Sequence, residues 1–130
     1  MQINAPCISV ETAPFWDAAN HDQLLLRRCL DTGKPYWYPR DHSPFTGSTR
    51  TDWIVASGDG TLYSFSYSQR DDQVHCIAYV TLDEGPTMLS VVDCDDPQKL
   101  RIGQRMTVAF AASANGQKVP IFVPFEQGCN

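Results

Sequence analysis

The spacing of apolar positions divides the chain into a short first part of mixed character and a longer second part with the period of β-strands. In the first part a helix is predicted from about 13 to 20, because Thr12 can cap it and Pro14 lies in its first turn, where a missing N–H costs nothing. Residues 23–29 could form a second short helix or a strand, and Gly33 and Pro35 after them favour a strand that leads into a tight turn.

After Arg50, short apolar runs are separated by polar and glycine-containing turns. Strands at this spacing are typical of a small antiparallel barrel or sandwich. The predicted strands cover residues 53–57, 61–68, 74–82, 87–92, 105–110 and 119–125, with a loop and one helical turn from 93 to 100. We therefore predict a mainly β protein. An N-terminal arm, a helix and a ribbon-like hairpin (1–50) precede a five-stranded OB-fold-like antiparallel barrel (51–130).

Two of these strands carry an informative side-chain pattern. Tyr63, Phe65 and Tyr67 alternate with smaller residues, and alternating large residues on a barrel strand usually point inward. We expect these three aromatic side chains in the core. The run 74–82 is apolar at both odd and even positions, as expected for a central barrel strand with both faces covered.

Residues 29–48 have the outline of a zinc ribbon without most of its ligands. A four-cysteine ribbon would place C-x-x-C pairs at 29/32 and 43/46, where this chain has Cys29, Thr32, Ser43 and Thr46. Cys29 and His42, with a neighbouring aspartate, could supply a partial set, but a tight zinc site requires four ligands, mostly Cys or His, at fixed geometry. We therefore expect no zinc and no resident cofactor.

Composition excludes several classes of protein. The chain has 130 residues, a net charge of −5 and a pI of about 4.9, and an acidic surface argues against non-specific nucleic-acid binding. No apolar run approaches the roughly 20 residues that span a bilayer. The N-terminus lacks the basic and apolar regions of a signal peptide, so we expect a cytoplasmic protein. Its five cysteines, odd in number and irregularly spaced, are expected to be free thiols.

The segment 27–50 is basic within this acidic chain, with five basic residues against two acids, and it is rich in aromatic residues. Coenzyme A carries several phosphate charges and an adenine ring, so it is bound by Arg or Lys near an aromatic surface. The same residue types dominate protein interfaces, although the aromatic residues could instead only brace the hairpin. The candidate ligand- or partner-binding residues are Arg27, Arg28, Lys34, Trp37 and Arg40.

The sequence contains no arrangement that predicts catalysis. His75 and Cys76 are adjacent, but neighbouring side chains on a strand point to opposite faces. Cys94 lies among three aspartates, which would raise its pKa. Cys29 lies beside two arginines and is the most activated thiol, but its place in the ribbon outline explains it better as a former metal ligand. We predict no catalytic residue.

Several short motifs follow one another from about Phe15 to Pro124. They are Phe15-Trp16, Leu24-Leu25-Leu26-x-x-Cys29, Pro39-Arg40, Pro44-x-x-Gly47-Ser48, Ser57-Gly58-x-Gly60-Thr61-Leu62-Tyr63-Ser64-Phe65, Leu82-Asp83-Glu84-Gly85-Pro86, Leu100-Arg101-Ile102-Gly103 and Pro120-x-Phe122-x-Pro124. In order and spacing this series resembles the DUF35 or acyl-CoA-associated OB-fold family. Those are small bacterial and archaeal proteins in which a rubredoxin-like zinc ribbon is joined to an OB-fold.

The resemblance implies an accessory role. Such proteins are typically partners of thiolase-like enzymes, of side-chain-cleaving aldolases or of MaoC-type hydratases that act on acyl-CoA thioesters, as in lipid or steroid metabolism. We therefore expect a non-catalytic subunit that associates with such an enzyme and helps to bind or channel a CoA thioester. The alternatives are a stand-alone acyl-CoA or small-ligand binding protein and an OB-type single-strand nucleic-acid binder. The excess of acids after residue 50 disfavours the nucleic-acid binder.

Overall fold

The computed structural model describes residues 3–125. None of the helices within this range is long and apolar enough to cross a membrane. The thiols of Cys7, Cys29, Cys76 and Cys94 are free. Cys129 lies outside the described residues.

A single α-helix, α1 (Ala13–Ala19), begins close to where the sequence predicts it. The Thr12 side chain makes no capping bond to the helix, and its hydroxyl instead lies 3.0 Å from the Ser9 hydroxyl. Phe15 and Ala19 form the buried face of the helix, because residues four apart lie on the same side. The helix is therefore positioned by packing and by the preceding turn, and not by a side-chain cap.

The ribbon part of the chain folds as a three-stranded antiparallel sheet in the order β2-β1-β3. Its strands are β1 (Leu25–Cys29), β2 (Pro35–Tyr36) and β3 (Thr51–Val55). Strand β3 follows residue 50 but pairs along its whole length with β1. The division into 1–50 and 51–130 stays a prediction.

The second sheet is the OB-like barrel, with five strands in the order β6-β5-β4-β7-β8. A parallel bridge between Val92 and Phe122 brings its two edges together and nearly closes it. This confirms the mainly β fold and the five-stranded barrel. The strands are β4 (Asp59–Arg70), β5 (Gln73–Leu82), β6 (Thr87–Val91), β7 (Arg105–Ala112) and β8 (Lys118–Pro124), with a 3₁₀ turn at Pro97–Lys99 between β6 and β7.

One apolar core joins the two sheets. The barrel contributes fully buried side chains from β4, β5, β7 and β8, and α1 and β1 cover it from the ribbon side. Burying apolar surface in this way is the dominant favourable term in folding. The main members of the core are Phe15, Leu24, Leu26, Leu62, Val80, Leu82, Met106 and Phe122.

The expectation that Tyr63, Phe65 and Tyr67 lie in the core is wrong for both tyrosines. A β-bulge shifts the register of β4 between Leu62 and Ser64, so Tyr63 has no partner on β5 and is 65% exposed. Phe65 packs against the core as predicted. Tyr67 lies farther along the β4–β5 hairpin and is 42% exposed.

Strand β5 also differs from its prediction, because it alternates and is not covered on both faces. Cys76, Ala78 and Val80 are buried, whereas Ile77 and Tyr79 are about half exposed. An antiparallel strand with one solvated face shows this pattern, except that here the solvated face is apolar.

Candidate functional site

The five predicted binding residues occupy different environments. Arg27 is only 8% exposed, and its guanidinium lies 4.7 Å from the centre of the Trp53 ring. It donates a hydrogen bond to the Thr51 hydroxyl, and it lies 3.8 Å from an Asp41 carboxylate oxygen. Tyr36 on β2 lies opposite Arg27. The positive charge of Arg27 therefore interacts with other residues of the ribbon.

Arg28 points to the opposite side of β1 from Arg27, since side chains alternate along a strand. Its guanidinium makes two hydrogen bonds to the Asp52 carboxylate, of 2.7 and 3.2 Å. The hydrogen bonds to Asp52, followed in size by its negative charge, raise the pKa of Arg28. Arg28 is therefore part of a local ion pair on the ribbon sheet.

Lys34 and Trp37 lie together in a cleft between the ribbon and the barrel. The cleft has a volume of about 400 Å³. Lys34 is exposed, and its ammonium group lies 5.6 Å from the centre of the Phe45 ring. The lining is formed by Lys34, Pro35, Tyr36, Trp37, Pro44, Phe45, Glu84, Gly85, Pro86 and Thr87. The ribbon and the turn between β5 and β6 thus form the two walls of one largely apolar groove.

The cleft carries one charge of each sign. Lys34 is positive, and Glu84 on the opposite wall is negative. One carboxylate oxygen of Glu84 accepts a 2.8 Å hydrogen bond from the Ser57 amide, and the other is buried without a partner among the described residues. An anionic group is therefore favoured near Lys34 and disfavoured near Glu84.

Arg40 lies outside the lining of this cleft. It is exposed, and its guanidinium lies 5.9 Å from the centre of the Tyr38 ring. Trp37 packs against Phe15 of the helix, with their ring centres 5.2 Å apart. The structure therefore brings together only Lys34 and Trp37 of the five residues, and their role in binding stays a prediction.

The former ligand positions of the ribbon converge on Cys29, which is fully buried. The Cys29 sulfur lies 3.9 Å from the Thr46 hydroxyl. Hydrogen bonds from Ser43 and Thr32 lower the pKa of the Cys29 thiol to about 7, and these outweigh the effect of burial. The sequence led us to expect that the two neighbouring arginines lower the pKa of Cys29. In the structure, hydroxyl groups lower it instead.

The zinc that a ribbon of this type implies does not fit the residues present. One thiol and three hydroxyls stand at the ligand positions, and hydroxyls are not among the Cys, His and carboxylate donors that hold zinc in proteins. Within the described range 3–125, no three His, Cys, Asp or Glu side chains are grouped in a way that could hold a metal ion. His42 is exposed on the loop. We derive no role for a metal.

Cys76 and Cys94 are poor nucleophiles. His75 is exposed and Cys76 is buried, as expected for neighbours on a strand. Burial raises the pKa of Cys76. Burial first, and then the nearby Cys76 and aspartates, raise the pKa of Cys94 to about 11. A reactive thiol needs a lowered pKa together with solvent access, and neither Cys76 nor Cys94 has a lowered pKa.

An apolar patch on the outer face of the barrel was not identified from the sequence. Ile77 and Tyr79 of β5 and Leu89 of β6 are each about half exposed, and Tyr79 pairs with Leu89. The small residues Ser64 and Ser66 lie opposite Tyr79 and Ile77 on β4, which leaves a shallow hollow of about 130 Å³. We call this surface the outer apolar face. The signal was present in the apolar residues at both odd and even positions of 74–82.

The outer apolar face adjoins an open strand edge. Strand β4 pairs with β7 only over Asp59–Thr61, and from Tyr63 onwards its sole ladder partner among the described residues is β5. Natural proteins usually protect such edges, because unpaired backbone groups invite another chain to pair with them. This part of the barrel has the features of a surface that another protein covers.

These observations define a protein in which a rubredoxin-like ribbon that keeps one of four ligand cysteines is joined to an OB-fold. Two family models match the chain and together cover more than half of it. The ChsH2 rubredoxin-like zinc ribbon domain matches residues 16–44, and the ChsH2 C-terminal OB-fold domain matches residues 53–111. The chain belongs to the ChsH2-type DUF35 family.

Two curated proteins are similar to this chain. One is a probable enoyl-CoA hydratase alpha subunit of Thermomonospora curvata, 24% identical over 92% of this chain and 39% of its own length. The other is the 3-oxo-4,17-pregnadiene-20-carboxyl-CoA hydratase alpha subunit of Mycobacterium tuberculosis, 28% identical over 81% of this chain and 35% of its own length. The chain thus spans well under half the length of these relatives.

Two solved structures share the fold. A chain of the Ltp2-ChsH2(DUF35) aldolase superimposes with a TM-score of 0.81 at 24% identity, over 92% of this chain and 98% of that one. A DUF35 protein of unknown function from Sulfolobus solfataricus superimposes with a TM-score of 0.66 at 11% identity, over 89% of this chain and 86% of that one. Both parts of the predicted fold, the ribbon and the OB-fold, are confirmed.

Proposed function

We propose that this chain is a non-catalytic accessory subunit that associates with an acyl-CoA-processing enzyme and helps to hold a CoA thioester at their boundary. The partner would be thiolase-like, an aldolase or a MaoC-type hydratase. The names of the relatives support this proposal, because two are hydratase alpha subunits and one structural neighbour comes from an aldolase assembly.

The outer apolar face is the observation that carries the proposal. Three large apolar side chains, Ile77, Tyr79 and Leu89, stay half exposed on neighbouring strands of a domain whose core is otherwise well buried. Contiguous exposed apolar surface marks interaction sites more often than chance placement does. A protein partner that covers this face would remove it from water and could also pair with the open edge of β4.

The cleft at the ribbon supports the second half of the proposal. Its apolar walls suit the pantetheine and acyl parts of a CoA thioester, and Lys34 at its rim suits a phosphate. Glu84 makes the opposite wall unsuitable for a phosphate. A CoA thioester in the cleft would therefore be oriented with its phosphates near Lys34. We expect the acyl-pantetheine part to extend away from Lys34 towards the partner.

Association is tested by copurification of the tagged chain from its native host, with mass spectrometry of whatever accompanies it. We expect an acyl-CoA enzyme in fixed stoichiometry. Tyr79→Arg should weaken the complex by at least about tenfold, because it places a charge in the centre of the apolar face. Val10→Arg adds the same charge at a highly exposed position of the N-terminal arm and should leave the complex intact.

If the wild type and both variants were recovered without any acyl-CoA enzyme, the accessory role would be contradicted. That result would favour a stand-alone binding protein. A complex that resists Tyr79→Arg would keep the accessory role and reject the outer apolar face as its contact surface.

Ligand binding is tested by calorimetric titration of an acyl-CoA into the isolated chain and into the complex. Lys34→Glu should raise the Kd by roughly three- to tenfold, since it reverses the one positive charge of the cleft. Lys99→Glu makes the same change on the exposed 3₁₀ turn and serves as the control. Equal affinity for both variants would show that CoA is not held in this cleft.

A further inference from the structure

The ribbon contains two turns of the same geometry. In the first, the Cys29 amide donates to the Lys34 carbonyl at 2.9 Å and the Gly33 amide donates to the Cys29 carbonyl at 2.7 Å. In the second, the Ser43 amide donates to the Ser48 carbonyl at 2.9 Å and the Gly47 amide donates to the Ser43 carbonyl at 2.8 Å. The two turns therefore repeat each other bond for bond.

Matched glycines complete the correspondence. Gly33 has a φ of 74° and Gly47 has a φ of 75°, which is the left-handed region that favours glycine. Each glycine comes four residues after the first former ligand position of its turn, Cys29 or Ser43. The backbone that would present four metal ligands is thus retained on both sides.

The first side chain of each turn also plays the same part. The Ser43 hydroxyl accepts hydrogen bonds from the amides of Phe45 and Thr46, at 3.1 and 3.4 Å. In the first turn the amides of Asp31 and Thr32 act on the Cys29 sulfur in the same way and contribute to lowering its pKa. Amides two and three residues later are therefore directed at position 29 or 43 in both turns.

We propose that the side chains of Cys29, Thr32, Ser43 and Thr46 form a thiol–hydroxyl cluster that takes the structural place of the metal. We propose also that the four positions remain a latent tetrahedral site. The Cys29 sulfur lies 3.9 Å from the Thr46 hydroxyl, and Ser43 and Thr32 are its other polar neighbours. On its outer side, where Thr32 and Thr46 are exposed, the Thr46 hydroxyl donates a 3.4 Å hydrogen bond to Asp31, which forms a salt bridge with Arg50.

This inference is independent of the proposed function, since it concerns how the ribbon is held and not what it binds. Three hydroxyls and one thiol are a poor ligand set for zinc. Among the described residues the hydroxyls bond to local backbone amides and to the Asp31 carboxylate. Replacing the three hydroxyls by thiols changes the donor chemistry and leaves the backbone geometry as it is.

The test compares the wild type with the triple variant Thr32→Cys, Ser43→Cys, Thr46→Cys. The wild type should contain less than about 0.1 zinc per chain and melt at the same temperature with zinc or with a chelator. The triple variant should bind about one zinc per chain. With cobalt(II) it should show the visible bands of a tetrahedral thiolate complex, and a chelator should lower its melting temperature.

Stoichiometric zinc in the wild type, or a fall in its melting temperature with a chelator, would overturn the metal-free cluster. A triple variant that binds no metal, or that does not fold even with zinc, would overturn the latent site.

A second pair of variants tests the cluster without any metal. Cys29→Ser keeps a hydrogen-bonding group at the centre, whereas Cys29→Ala has nearly the same volume as serine and removes the bonds. The cluster predicts that the serine variant retains the higher melting temperature. The opposite order would mean that Cys29 acts as an apolar filler, and the cluster would be rejected.

Discussion

The ribbon and the barrel of this protein are held together in different ways. The barrel encloses apolar side chains that are almost completely buried, among them Leu62, Val80 and Phe122. The ribbon buries the polar side chains of Arg27 and Ser43 together with Leu26, Tyr36 and Cys29. A small unit cannot bury enough apolar surface alone, so it depends on directional bonds or a metal. The barrel should therefore respond to changes in volume, and the ribbon to changes in hydrogen bonding and charge.

The largest effect is expected in the barrel core. Phe122→Ala should lower the free energy of unfolding by about 3–5 kcal/mol, because it empties a fully buried site where β8 closes the barrel. Phe125→Ala makes the same change at a half-exposed position and should cost no more than about 0.5 kcal/mol. Urea denaturation measures both. Similar losses would mean that the barrel core is not the main source of stability.

Two glycines sharpen the comparison, because they share a positive φ and differ in the space around them. A Cβ on Gly58 in the barrel would lie 2.4 Å from the Cγ1 of Val108, whereas a Cβ on Gly33 in the ribbon would meet nothing within 4 Å. Gly33→Ala should cost about 1 kcal/mol for the backbone alone. Gly58→Ala should cost roughly 1–3 kcal/mol more for the clash. Thermal or urea unfolding measures the loss of stability in both variants. Equal losses would contradict the tight packing at Gly58.

Arg27 is expected to be the most important charged side chain of the ribbon. Arg27→Ala should destabilise the protein by about 2 kcal/mol, since it removes a buried guanidinium from the Trp53 ring and from Thr51. Arg40→Ala removes the same side chain from an exposed position and should change stability by less than about 0.5 kcal/mol. Tryptophan fluorescence during urea unfolding measures the difference. A neutral Arg27→Ala would mean that the guanidinium does not hold the ribbon together.

The last prediction is a pH dependence that belongs to the ribbon. The folded protein holds the pKa of Cys29 at about 7, below its ordinary value of 9.0. Between these two values the unfolded chain binds more protons, so stability should rise with pH from 7 to 9. Denaturation midpoints across this range should rise more in the wild type than in Cys29→Ala. Parallel curves would show that the hydroxyls do not stabilise the thiolate.

Much of the fold could be predicted because it depends on local patterns. Turn residues and apolar periods located the helix, the ribbon strand β1 and all five barrel strands within a few residues. The positions of Cys29 and Ser43 in two similar turns were also readable, since turn geometry is set by a few neighbouring residues. Those signals do not depend on which other part of the chain packs against them.

The candidate site could be predicted only in part. Five residues of one basic segment were expected to act together, and the structure separates them, because alternation along β1 sends Arg27 and Arg28 to opposite faces. Each then finds a partner from β3, Trp53 or Asp52, which the sequence places far along the chain. Lys34 and Trp37 instead meet the turn between β5 and β6 and form the cleft.

The sequence by itself determined the order of elements, the family and the loss of the zinc ligands, because each of these is written in residues close together in the chain. Only the tertiary structure decided which side chains are available. A one-residue bulge exposes Tyr63, and no layer formed by residues 3–125 covers Ile77 and Tyr79. Burial depends on contacts between residues distant in sequence, and no local pattern specifies those contacts.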